Sequence, residues 1–212
     1  MNCCQCQGIE ETFSPEYVAG ELDRYRRRGP AKTTLMLIEA LKQAGVSGST
    51  LLDIGGGVGA VQHALLAAGV KTAIDVDASA AYLSVARAEA ARRGLSHRIE
   101  HKHGNFVELA ADVPAADIVT LDRVICCYDD MQRLVGSSSA LARRLYGVVY
   151  PRDTWWIRLG LAIGNFFLRL RGSSFRAFAH PSGDIEALIA AKGLTRRFAR
   201  RTFAWQVAVF DR

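Results

Sequence analysis

Two hydrophobic periods alternate along this chain, and the switches between them predict its elements. Apolar runs of strand length stand at Leu51-Leu52-Asp53-Ile54, Thr72-Ala73-Ile74-Asp75-Val76-Asp77, Arg98 to Lys102, Ala116 to Leu121 and Tyr146-Gly147-Val148-Val149-Tyr150. Helical patterns run between them, over Val61 to Ala68, Ala78 to Arg93 with Gly94 as the stop, and Ser137 to Leu145. Two more helices precede the first strand. One opens at Ser14-Pro15, with Ser as cap and Pro at the first helical position, and closes at Gly29-Pro30; the next carries Leu35, Ile38 and Leu41 to Gly45. Beyond the fifth strand, Trp155, Leu159, Ile163, Phe166 and Leu170 recur at helical spacing, a further helix begins at His180-Pro181-Ser182, and Leu194 to Arg201 with Thr202 to Phe210 read as an antiparallel hairpin. Alternating strands and helices predict an α/β fold whose mainly parallel sheet is wound on both faces, with ligands beyond the strands' carboxyl ends.

The stretch around which the rest is organised is Asp53-Ile54-Gly55-Gly56-Gly57-Val58-Gly59, a strand that ends in an acid and turns on glycines into a helix. Glycines allow positive φ and close approach of a ligand, and the helix start offers unpaired N–H groups. Gly55-x-Gly57-x-x-Ala60 fits the dinucleotide fingerprint. Against that, a carboxylate at Asp53 would repel a pyrophosphate and accept a hydrogen bond from an ammonium group, which favours an amino-acid-bearing cofactor. The plainer alternatives are a tight strand-to-helix turn for the glycines and a capping role for Asp53.

Asp53-x-Gly55-x-Gly57-x-Gly59 resembles the signature of class I (Rossmann-like) S-adenosylmethionine-dependent methyltransferases. The resemblance implies a seven-stranded, mainly parallel sheet with a C-terminal antiparallel hairpin, N-terminal helices and a helical insertion after the fifth strand. It implies S-adenosyl-L-methionine as cofactor, held by Asp53, Gly55, Gly56, Gly57 and Gly59, by Asp77 and Ala78 at the ribose, by Asn105 and Phe106 at the adenine, and by Asp122. His103-Gly104-Asn105 stands where the family usually has Gly-Asp, and Asn after Gly is also ordinary turn chemistry. The C-terminal half is loosely similar to the magnesium-protoporphyrin O-methyltransferase branch, although Cys127-Tyr128-Asp129 stands where that branch has His-Tyr-Pro.

Asp122-Arg123-Val124-Ile125-Cys126-Cys127-Tyr128-Asp129-Asp130 follows the fourth strand, where the family positions acceptor and catalytic groups. Methyl transfer needs an aligned nucleophile and, for hydroxyl or ammonium acceptors, a base. Asp122, Tyr128 and Asp129 are the catalytic candidates. Tyr17, Tyr25, Arg123, Cys127, Tyr128 and Arg152 are the substrate candidates, with Arg123 or Arg152 meeting an acceptor carboxylate. For Tyr17 and Tyr25 packing is the rival use, and for the cysteine pair apolar filling.

A chain of 212 residues, half of them apolar, can bury a sizeable core. It reads as a single methyltransferase domain: a thiol-rich segment and cap helices over 1–45, a cofactor-binding core over 46–150, an insertion or lid over 151–175, and a helix and hairpin over 176–212. The formal net charge of +6 admits nucleic acid or anionic lipid as partner. The arginines are spread rather than interleaved with aromatics, and no Asn/Asp-Pro-Pro-aromatic tetrad occurs, so the expected partner is a small-molecule acceptor and not nucleic acid. The stretch over 155–170 is too short and too charged to span a bilayer and suits a lid, a packed helix or peripheral membrane contact. No secretory signal pattern opens the chain, which makes the cytoplasm the default and the five cysteines reduced thiols. Cys3, Cys4 and Cys6 lie close enough to share a soft metal, yet lack a completing ligand, and no metal site is assigned. The expected function is methyl transfer to O, N or S of a small, fairly apolar molecule. An NAD-dependent oxidoreductase, an RNA methyltransferase and a non-catalytic cofactor-binding module are the alternatives, and oligomeric state is left open.

Overall fold

The computed structural model describes residues 4–212, with side chains from Gln7 onward; the thiols of Cys3, Cys4 and Cys6 lie outside the described residues. In chain order the elements are α1 (Cys4–Thr12), α2 (Pro15–Arg28), α3 (Lys32–Gln43), β1 (Thr50–Ile54), α4 (Ala60–Ala67), β2 (Thr72–Asp77), α5 (Ala80–Arg92), β3 (Ile99–His103), α6 (Phe106–Leu109), β4 (Ala116–Asp122), α7 (Met131–Ala140), β5 (Ala142–Pro151), α8 (Trp155–Leu170), α9 (Ser182–Ala190), β6 (Thr195–Arg201) and β7 (Trp205–Asp211). The seven strands form one sheet in the order β3-β2-β1-β4-β5-β7-β6. β3 through β5 are parallel neighbours, while β7 runs antiparallel to both β5 and β6, as the Rossmann-like reading requires.

Period-two alternation divides the core between the two faces. Leu52, Val119 and Val148 point toward Met131, Leu134 and Val135 of α7 and Ile185 and Ile189 of α9. Their neighbours Leu51, Ile118 and Val149 point the other way, against Leu37, Ile38 and Leu41 of α3 and Val61 and Leu65 of α4. Strand order reverses between β1 and β4, and that switch point opens the crevice in which α/β sheets bind ligands.

One expected element differs, and two short helices were not expected. The helix expected over Ser137 to Leu145 is instead α7, capped by Asp130 through its side chain on the Arg133 N–H, followed by a β5 that already begins at Ala142. Ser137, where the expected helix began, lies with Ser138 and Ser139 in the last turns of α7. There Ser138 and Ser139 donate back to the Leu134 and Val135 carbonyls at 2.7 and 2.6 Å. α1 and α6 are the two helices that the sequence pattern did not predict.

Candidate active site

β1 delivers the chain into the glycine loop from beneath. Gly55 and Gly57 have φ of 65° and 57°, in the left-handed region where a side chain is strained. Gly56 is glycine for another reason. A Cβ there would sit 2.2 Å from Gln62 Nε2, 2.5 Å from Asp75 Oδ1 and 2.9 Å from Asp53 Oδ2, so the loop lies directly on a buried polar cluster.

Asp53 belongs to that cluster and lies deeper than the strand-tip position expected of it. It is 1% exposed, and its Oδ1 accepts from the Thr120 hydroxyl at 2.6 Å. Burial first, and the Asp75 carboxylate beside it second, push its acid group well above the ordinary range. The pairing register explains the proximity, since Asp53 and Asp75 are partners across β1 and β2. His101 Nδ1 donates to Asp75 Oδ2 at 2.9 Å from β3.

Asp77 ends β2 at the cavity wall. Its Oδ1 accepts from the Ser79 N–H at 2.8 Å and its Oδ2 from the Gly57 N–H at 3.2 Å. Burial, then the charge of Asp75, raise its acid group to about 7. Each oxygen keeps a further lone pair for a hydroxyl. Asn105 caps α6, its Oδ1 accepting from the Val107 N–H at 3.1 Å, and its amide lies 3.1 Å from the Tyr128 hydroxyl. The side-chain carbonyl of Asn105, a residue expected at the adenine, is therefore already engaged in the fold, while Ala78, Asn105 and Phe106 all line the cavity.

At the other end of the crevice, Asp122 closes β4. The Thr34 hydroxyl donates to its Oδ2, and Arg123 Nε lies 3.4 Å from its Oδ1. Arg123 has φ of 63° and is the one non-glycine residue with positive φ among the described residues. Backbone strain of this kind costs on the order of 1–3 kcal/mol and collects at functional sites. The following turn brings Cys126 and Cys127 to a sulfur separation of 3.8 Å, with Cys126 Sγ donating to the Arg123 carbonyl. The adjacent thiol holds Cys126 below its ordinary pKa and pushes Cys127 above it.

These groups line one cavity of about 590 Å³, within the ~300–1,000 Å³ range of small-ligand sites. The structure brings together Asp53, Gly55 to Gly57, Asp77, Ala78, Asn105, Phe106, Asp122, Arg123, Cys127, Tyr128, Tyr17 and Tyr25. Tyr17 is half exposed at the mouth. Tyr25 is buried, its hydroxyl 3.3 Å from His63 Nδ1 and its ring under the Arg93 guanidinium, so packing occupies much of it. Two candidates stand apart from the lining. Asp129 is exposed, where its Oδ1 accepts from the Asp130 N–H, and Arg152 donates to the Thr202 and Phe203 carbonyls while stacking on Trp156. Gly59 is likewise outside the lining, at the start of α4.

Sequence reasoning missed the part of α1 in the roof, while it reads the segment 151–175 as an insertion or lid. Ile9 of α1 and Phe13, together with Trp156, Ile157 and Leu161 of α8, and Phe175, cover the crevice. α1 is pinned by Glu10, whose carboxylate accepts from the Ala80 N–H at 3.1 Å and lies 3.0 Å from His103 Nε2. It also presses on the 173–178 segment, since a Cβ on Gly8 would lie 2.3 Å from the Phe175 nitrogen. Thr34 was missed too. Leu35, Ile38 and Leu41 signalled the helix that carries it, but no local pattern tells that α3 reaches Asp122.

A model described as a methyltransferase domain matches residues 52–144. A ribosomal protein L11 methyltransferase from Yersinia pseudotuberculosis (strain IP 31758) is 33% identical over 151 residues, 68% of this chain and 52% of the relative, so the chain spans about half the length of the curated relatives it matches. Among solved structures, magnesium protoporphyrin IX methyltransferase from Synechocystis PCC 6803 with bound SAH superposes with a TM-score of 0.72 at 16% identity, covering 98% of this chain and 99% of that one. A putative sarcosine dimethylglycine methyltransferase from Galdieria sulphuraria gives 0.66 at 15% identity over 85% of both chains. The chain belongs to the class I S-adenosylmethionine-dependent methyltransferases. That membership sets aside the nicotinamide alternative.

The residues present fit the family's cofactor. Carboxylates of Glu21, Asp53, Asp77 and Asp122 line the cavity, an acceptor set that disfavours a pyrophosphate and suits hydroxyl, ammonium and sulfonium groups.

Proposed function

We propose that this methyltransferase carries a methyl group from S-adenosylmethionine to an oxygen, nitrogen or sulfur atom of a small, fairly apolar molecule. The supporting observation is the cavity's two-sided character: acids line its loop side, and Phe13, Trp156, Ile157, Leu161 and Phe175 line its roof. In this reading Gly55 to Gly57, Asp77 and Ala78 hold the cofactor's amino-acid and ribose parts. Asn105 and Phe106 border the adenine, with Phe106 offering a buried apolar ring. Bound there, the cofactor supplies an electrophilic methyl group.

The chain's own residues do the rest. Thr34 and Arg123 orient Asp122, which takes the proton of a hydroxyl or ammonium acceptor. Tyr128, tied to Asn105, orients the acceptor, and Arg123 meets an acceptor carboxylate. Cys127 and Tyr17 border the acceptor. Asp129 and Arg152, set outside the cavity lining, have no part in the proposal. The roof excludes water, which strengthens these electrostatic contacts. An acceptor screen with isotopically labelled S-adenosylmethionine, beginning with apolar carboxylates, phenols and thiols, tests the reading. Transfer to one class supports it; S-adenosylhomocysteine binding without turnover on any acceptor would leave a non-catalytic module.

A protein acceptor is the second reading, favoured by the similarity to a ribosomal protein L11 methyltransferase. It predicts transfer to protein in place of transfer to the small acceptors.

A further inference from the structure

α8 is apolar on the side that faces water. At 100° per residue, Trp155, Leu159, Ile163, Phe166, Phe167 and Leu170 fall on one arc of about 120°, and each is between 50% and 71% exposed. None of the helix's sixteen residues is buried. Its opposite side, with Ile157, Leu161, Asn165 and Leu168 half-buried, meets the protein. Asn165 clamps it there, donating to the Ala177 carbonyl at 2.8 Å and accepting from the Ala177 N–H at 2.9 Å. A fixed helix with this much apolar surface in water marks a contact site.

We propose that the outer face of α8 docks on a bilayer surface that carries anionic lipid, and that the cavity takes its acceptor from that membrane. The docking stands on the helix alone, while the acceptor route rests on the methyltransferase reading above.

Charge identifies the occupant. No Asp or Glu occurs between Thr154 and Gly172, whereas Arg158, Arg169 and Arg171 do, and Arg158 and Arg169 fall together at one edge of the apolar arc. Apolar side chains can enter the acyl boundary there while guanidinium groups reach phosphate headgroups. A neighbouring turn has the same character. Phe203 is 78% exposed beside Arg200 and Arg201, and Arg152 joins that turn to Trp156 of α8. A second copy suits the face less well. Two such helices paired antiparallel about a two-fold axis would set arginine edges against each other, with no carboxylate on either helix to offset them.

The helix lies on the bilayer and does not cross it. Sixteen residues reach about 24 Å, short of the ~30 Å hydrocarbon core, and no helix among the described residues is long and apolar enough to cross a membrane. Trp156, Ile157, Gly160 and Leu161 of the same helix line the cavity. Seating α8 in the interface therefore brings the cavity to within about one helix diameter, ~10 Å, of the lipid. An acceptor dissolved in the membrane then enters past α8 without crossing water.

The test is flotation of the full chain with vesicles of phosphatidylcholine alone and of phosphatidylcholine mixed with phosphatidylglycerol, alongside calorimetric binding of S-adenosylhomocysteine. The expected result is flotation with the anionic vesicles that weakens with salt, and a blue shift of tryptophan emission. The double variant Phe166→Glu/Leu170→Glu should lose at least about tenfold in partitioning, and its unchanged affinity for S-adenosylhomocysteine would show that it is folded. Arg158→Ala/Arg169→Ala should remove the preference for anionic lipid. Failure of the wild type to float with either vesicle while it binds S-adenosylhomocysteine would overturn the docking and leave the methyltransferase reading standing. Equal flotation of wild type and the Glu variant, or a dimer in solution that only the Glu variant dissolves, would overturn it as well. Flotation without S-adenosylhomocysteine binding would uphold the docking and remove the acceptor route.

Discussion

Asp77 at the end of β2 and Gly57 in the loop after β1 are joined by a hydrogen bond from the Gly57 N–H to Asp77 Oδ2, at 3.2 Å. The acid assigned to the cofactor's ribose thus also holds the loop that receives the rest of the cofactor. Asp77→Ala removes both functions and should weaken S-adenosylhomocysteine binding by about 1–3 kcal/mol. Asp77→Asn keeps an acceptor for one of the N–H groups and should lose less. Isothermal titration of the two variants checks the order.

The same acid predicts a pH dependence of the ligand-free protein. Burial and Asp75 raise Asp77 to about 7, and raise Asp53 as well. A carboxyl with a raised folded pKa binds its proton more tightly folded than unfolded. Its stabilisation is complete below the unfolded value near 4 and is lost as pH rises through the folded one, at about 1.4 kcal/mol per unit per proton. Thermal stability should fall between pH 4 and pH 7. Asp53→Asn should flatten that fall, because Asn can still accept from Thr120 but never ionises. Glu89 acts in the opposite direction outside this window: hydrogen bonds from Arg92, and also from Arg26 and Arg93, hold its carboxyl far below the usual range. Melting temperatures of wild type and Asp53→Asn that run parallel across the window would contradict the assignment.

Gly56→Ala tests the polar cluster beneath the loop. The added methyl would meet Gln62, Asp75 and Asp53 at distances no Cβ tolerates, so the loop must lift. A cost of about 1–3 kcal/mol in stability, as for other overpacked sites, should accompany loss of cofactor binding. Chemical denaturation and calorimetry read the two effects separately.

Thr34→Val should act on turnover more than on stability. The hydroxyl donates to Asp122, and its removal frees that carboxylate to leave its present orientation. With an acceptor in hand, a fall in kcat with little change in cofactor affinity is expected, and Thr34→Ser should restore most of it. A fall confined to cofactor affinity would assign Asp122 to the cofactor alone.

The parts of this site that were legible in the sequence are those made by neighbouring residues. Asp53 and the glycines announce strand, turn and helix in seven positions, and Asp77 stands at the end of the next apolar run. The depth of Asp53 was not legible, since it follows from Thr120 and Asp75 arriving on two other strands. α1 gave little periodic signal, and its place depends on Glu10 reaching Ala80 and His103 across at least 70 residues of chain. The helix start was misplaced at Ser137 because hydroxyls serve equally at a helix start and in a buried last turn, and only the packing against β5, where the neighbouring Ser138 meets the Tyr146 hydroxyl at 2.7 Å, distinguishes the two.

Calorimetric titration of the full chain with S-adenosylhomocysteine, repeated on Asp77→Ala, tests the central claim most directly, because it needs no knowledge of the acceptor. The account predicts one site per chain in the wild type and an affinity weakened roughly 5- to 150-fold in the variant. Equal affinity in both proteins would contradict the assignment of Asp77, and the absence of binding to the wild type would contradict the cofactor site itself.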